Sequence, residues 1–81
     1  NCPAPQKPNL TLTGSSPLKL SWSAPGEPPQ VWLLKLRQNG MWRTEIIAGK
    51  SRAATLRVDG VDAIALSAIN RAGIASPPVV Q

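Results

Sequence analysis

Apolar and polar residues alternate along this chain in short runs, each closed by a turn signal. Nowhere do apolar residues recur at i, i+3, i+4 and i+7 over three turns. Leu10 and Leu12 share one face of 9–13, and Gly14-Ser15-Ser16-Pro17 turns the chain. Leu18, Leu20 and Trp22 then alternate with Lys19, Ser21 and Ser23, the pattern of a half-buried strand. The run Ala24-Pro25-Gly26-Glu27-Pro28-Pro29 fits neither a helix nor a central strand and is a loop. Val31–Arg37 is a strongly apolar strand with Trp32, Leu34 and Leu36 on one face. Val31 and Leu33 lie on the other, with Lys35 and Arg37. After a polar connection at 48–52, Ala54, Leu56 and Val58 alternate again and end at Asp59-Gly60. Ile64, Leu66 and Ala68 follow on one face, Asn70-Arg71-Ala72-Gly73 is a loop, and Ser76-Pro77-Pro78-Val79-Val80 predicts a short edge strand. Nine prolines are distributed through the chain, and the alternation pattern leaves no room for a helix. The pattern predicts one all-β domain of about seven antiparallel strands in two sheets, over residues 8–81. A proline-rich linker at 1–7 precedes it.

Gln38-Asn39-Gly40 marks a hairpin, and its loop length decides what the next strand presents. A two-residue Asn39-Gly40 turn pairs Arg37 with Trp42 and Leu36 with Arg43, mixing charge into the apolar face. A three-residue loop closed by Gly40 pairs Leu36 with Trp42, Leu34 with Thr44 and Trp32 with Ile46, and keeps that face apolar. The second register is expected on that ground, with Trp42 turned inward. On the first register Trp42 faces outward beside Arg37 and the hairpin becomes a binding surface.

The segment Val58-Asp59-Gly60-Val61, followed by Leu66-Ser67-Ala68-Ile69-Asn70-Arg71-Ala72-Gly73-Ile74-Ala75-Ser76-Pro77-Pro78, resembles the closing half of a fibronectin type III domain. Leu18-Lys19-Leu20-Ser21-Trp22-Ser23-Ala24-Pro25 is similar to that family's second strand, and Pro8-Asn9-Leu10 to its first. The resemblance covers nearly the whole chain and implies a fibronectin type III, immunoglobulin-like sandwich. One departure is plain: Asp62 stands where the family usually places a corner tyrosine. Its carboxylate is expected to replace the tyrosine's bond by capping backbone amides of the turn. The resemblance further implies an accessory module, of the kind appended to bacterial secreted or envelope glycoside-hydrolase-like proteins. That places it in the periplasm, the envelope or the secreted fraction, outside the cytoplasm. A receptor or adhesion module of an animal protein is the alternative parent.

Composition narrows the chemistry. Phe and Tyr are absent, so the bulk of the core falls to the tryptophans and leucines, with Trp22, Trp32, Leu20, Leu34, Leu56 and Leu66 as its centre. The chain has no histidine, which excludes histidine acid–base catalysis, a Ser-His-Asp triad and a histidine zinc site. Cys2 is the single cysteine, so no internal disulfide forms; it reads as an inert thiol in the linker, with pairing to a cysteine upstream in a larger protein, of which this chain reads as an excised piece, as the alternative. The carboxylates Glu27, Glu45, Asp59 and Asp62 include one close pair, Asp59 and Asp62, but a tight turn offers no cleft for hydrolysis. No catalytic, cofactor or metal residues are expected. The apolar run at 61–69 is interrupted by Asp62 and falls short of the roughly 20 residues that span a bilayer.

The net charge of +5 is dispersed along the chain with no aromatic stacking platform, which argues against nucleic acid. Lys35, Arg37 and Arg43 are the cations expected to cluster. With Trp42 they form the candidate ligand surface, suited to peptidoglycan or another glycan. The expected function is a spacer or protein-interaction domain, a monomer whose first partner is the upstream domain of its own chain.

Overall fold

The computed structural model describes residues 5–14, 17–26, 28–57 and 60–81; Cys2, Glu27, Val58 and Asp59 lie outside them. Among the described residues seven strands and no helix are present: β1 (Asn9–Thr13), β2 (Leu18–Ser23), β3 (Val31–Gln38), β4 (Met41–Ala48), β5 (Ala53–Leu56), β6 (Val61–Ile69) and β7 (Val79–Val80). They form two antiparallel sheets, one ordered β1-β2-β5 and the other β4-β3-β6-β7.

The alternation dictates the packing. Leu10, Leu20, Trp22 and Leu56 point inward from the three-stranded sheet and meet Trp32, Leu34, Leu36, Ile64, Leu66 and Ala68 from the other. Trp22 and Trp32 pack edge to face across the sandwich, with ring centroids 5.9 Å apart and planes at 62°. A buried indole N–H needs an acceptor, and the connection between β4 and β5 supplies both. Trp22 Nε1 donates to the Ser51 carbonyl and Trp32 Nε1 to the Gly49 carbonyl, each at 3.1 Å. The Trp22 amide donates to the Arg52 carbonyl, and the Arg52 guanidinium lies 5.5 Å over the Trp32 ring. A segment that reads as a bare polar connection is thus the polar cap of the aromatic core.

The β6–β7 connection is built from side-chain bonds. Asn70 Oδ1 accepts from the amides of Ala72 and Ile74, which closes the loop on itself. Buried Ser76 accepts the Ala68 amide on its Oγ at 2.9 Å and returns its own amide to the Ala68 carbonyl, which pins the approach to β7.

The hairpin corrects the register expected from the sequence. Arg37 pairs with Trp42, Leu36 with Arg43, Leu34 with Glu45 and Trp32 with Ile47, so the loop is the two-residue turn Asn39-Gly40. Asn39 and Gly40 have φ of 52° and 79°, the mirror-image type I′ geometry whose twist matches the strands it joins. Keeping the face of β4 apolar proves the wrong criterion. β4 ends its sheet, pairs with β3 alone, and leaves every residue but Ile47 exposed. An edge strand that overhangs the opposite sheet has no core to face, so Arg43 and Glu45 sit on its inner side without burial.

Candidate functional site

The corrected register decides which residues share the outer face of the four-stranded sheet. Because side chains alternate, Trp42, Thr44 and Ile46 of β4 lie beside Arg37, Lys35 and Leu33 of β3. Trp42 is 54% exposed and Ile46 63%; it was Trp32, fully buried, that the core required. Val80 of β7 is 63% exposed and pairs with Ala65, which in turn pairs with Lys35, so it belongs to the same face.

One irregularity arranges the charge there. The β3–β6 register slips between Arg37, opposite Ala63, and Gln38, opposite Val61, leaving Asp62 as an extra residue on β6. Its carboxylate accepts from Arg37 Nε at 2.8 Å. Asp62 therefore reaches across to β3, where an amide cap within its own turn was expected. With both groups about half exposed, 41% and 55%, the pair adds at most about 1 kcal/mol to stability. Its effect is positional: the guanidinium is held with its carbon 5.7 Å from the centre of the Trp42 ring.

The expected cluster of four is divided. Lys35, Arg37 and Trp42 come together on the outer face. Arg43 lies on the other side of β4, its Nη1 donating to Gln38 Oε1 at 3.3 Å. A shallow groove of about 300 Å³ adjoins Lys35 alone of the three, lined by Leu33, Lys35, Ala65 and Ser67 of the sheet and by Ala75, Ser76 and Pro78. Ile46, Val80 and this groove were missed because their placement depends on the hairpin register and on how β7 returns to β6. The available signal was the Asn-Gly dipeptide itself, which favours the two-residue turn over any longer one.

The face can stack a flat apolar ring on the indole and offer hydrogen bonds from Lys35 and Arg37. Among the described residues, no grouping of three or more His, Cys, Asp or Glu side chains exists to hold a metal ion. No described helix is long and apolar enough to cross a membrane.

Comparison with solved structures places the fold. A computationally redesigned β-sandwich protein superposes with a TM-score of 0.77 at 21% identity, over 94% of this chain and 89% of that one. The fibronectin type III domain of human collagen XX superposes with a TM-score of 0.72 at 22% identity, over all of this chain and 97% of that one. No family model and no curated protein sequence matches the chain. At these identities the likeness is one of fold alone: the chain folds as an all-β sandwich of the fibronectin type III kind.

Proposed function

We propose that this domain is a non-catalytic interaction module that binds a glycan strand on the outer face of its four-stranded sheet, at the β3–β4 hairpin. The observation that carries the reading is Trp42, exposed on a flat face with the Arg37 guanidinium held beside its ring. The C–H face of a sugar stacks on the indole, Lys35 and Arg37 donate to hydroxyl or carboxylate oxygens, and the groove on the far side of Lys35 takes a further unit. The cations favour an acidic polymer such as peptidoglycan or a uronic-acid glycan. In this reading the module is an accessory part of a larger extracytoplasmic protein. The sequence resemblance to modules appended to bacterial polysaccharide-degrading enzymes supports that placement.

Exposed Ile46 and Val80 on the same face favour a second reading, in which it docks on a neighbouring protein domain. Pull-down on peptidoglycan and on acidic polysaccharide separates the two. Glycan binding predicts retention that weakens as salt rises from about 50 to 200 mM, exposed charges being screened over about 10 Å at 0.1 M. It also predicts that Trp42→Ala and Arg37→Glu each abolish retention while the fold persists. Retention that survives both substitutions, or no retention at all, refutes it.

A further inference from the structure

We propose that β4 is a self-complementary edge along which two copies of this chain pair antiparallel, joining their four-stranded sheets into one. The proposal is independent of what the outer face binds. Exposed edges are ordinarily blunted by shortness, proline or bulges. Among the described residues the other edges are: β1 has five residues after Pro8, β5 has four, and β7 has two after Pro77 and Pro78. β4 has eight residues and no proline, and its ladder to β3 runs without a break from Val31–Ala48 to Gln38–Met41.

The backbone parity of that ladder fixes which groups are free to pair. The Gly49 amide donates to the Gln30 carbonyl at 3.2 Å, just outside the Val31–Ala48 pair, so that pair is a non-hydrogen-bonded one. Alternation down the strand then turns the N–H and C=O groups of Trp42, Thr44 and Ile46 away from β3, toward the open edge; at Ala48 the carbonyl is already taken by the Ser51 amide at 3.0 Å. A second copy related by a two-fold axis must set these residues opposite one another.

Charge selects the register. With the axis at Thr44, Trp42 faces Ile46 of the second copy on the outer face, and Thr44 faces its own counterpart. On the inner side Arg43 faces Glu45 and Glu45 faces Arg43, while Met41 meets Ile47. Moving the axis to Arg43 or to Glu45 sets like charges opposite each other, and moving it to Ile46 sets Glu45 against Ile47. Arg43 and Glu45 are the only charged residues of β4, and both are exposed. They guard the edge in its other registers and pair correctly in one. The net charge of +5 on each copy opposes association, so the dimer belongs to the high end of the concentration range.

Sedimentation under reducing conditions, which removes any disulfide through Cys2, tests this. The mass should rise toward that of two chains between about 10 µM and 1 mM. Thr44→Pro deletes an N–H that faces the open edge and bonds nothing on β3, so the variant should keep its circular dichroism and remain monomeric throughout. Arg43→Glu and Glu45→Arg each set like charges opposite twice and should raise the dissociation constant about tenfold, although they move the net charge in opposite directions. Combining the two restores both pairs and should restore the dimer. A parent that stays monomeric at about 1 mM, or a dimer indifferent to a folded Thr44→Pro, overturns the proposal. Should Thr44→Pro fail to fold, the charge series decides: a folded double variant that does not recover overturns it.

Discussion

Replacing Gly49 by alanine tests the aromatic cap with a single methyl group. A Cβ built on Gly49 falls 1.8 Å from the Pro29 carbonyl oxygen and 2.8 Å from that of Gln30. Both neighbours are backbone, so no side chain can swing aside, and the β4–β5 connection must move by about an ångström or more to restore contact distance. That motion pulls on the Gly49 carbonyl, which accepts from Trp32 Nε1 at 3.1 Å and from Arg52 Nη1 at 3.0 Å. Overpacking costs about 1–3 kcal/mol, and stranding the buried indole N–H adds about 1–3 kcal/mol. Against a total stability of about 5–15 kcal/mol this is a large loss, and the Tm should fall by about 10 °C or more. Gly26 is the control: its φ of +85° disfavours alanine, but nothing lies near its Cβ position. Gly26→Ala should cost about 1–2 kcal/mol from backbone conformation alone. Thermal melts followed by far-UV circular dichroism give the comparison. A Gly49→Ala domain that melts within about 2 °C of the parent, or later than Gly26→Ala, refutes the account.

Trp22→Ala should cost about 3–5 kcal/mol, whereas exposed Trp42→Ala should stay within about 0.5 kcal/mol; chemical denaturation that finds the two alike would show the burial assignment to be wrong. Ser76→Ala strands the Ala68 amide in a buried position and should cost about 1–3 kcal/mol, read from the same denaturation curves. Hydrolysis assays on polysaccharide, ester and phosphate substrates should show no turnover above background, and turnover lost on changing Asp62 would overturn the non-catalytic reading.

Strand identity was legible because the core is built by alternation. Leu20 and Trp22 on one strand and Trp32 and Leu34 on another recur with period two, and the structure buries all four. The hairpin register was not recovered, although Asn39-Gly40 names its turn. Demanding an apolar face on β4 assumes that a second sheet covers it, and coverage is a property of sheet order, which no local pattern carries. Arg37 and Asp62 meet only because β6 holds one extra residue opposite β3, an insertion with no signature in the run Val61-Asp62-Ala63-Ile64. The capping role of 49–52 was hidden for a different reason: its acceptors are main-chain carbonyls, which any residue supplies. The two indole donors, each in need of a buried acceptor, were the clue available.

The division of the tryptophans has an optical consequence. Trp22 and Trp32 sit edge to face in a dry interior, while Trp42 stands in water with a cation near its ring. Emission from the folded domain is therefore a sum of a blue component from the pair and a red component from the hairpin. Exciton coupling within the pair gives a far-ultraviolet couplet in which Trp42, outside the pair, takes no part. Acrylamide should quench the red component first, and a ligand seated on the outer face should protect it while leaving the blue component and the couplet unchanged. Without any label, the chain thus carries one chromophore that reports its surface and a pair that reports its interior.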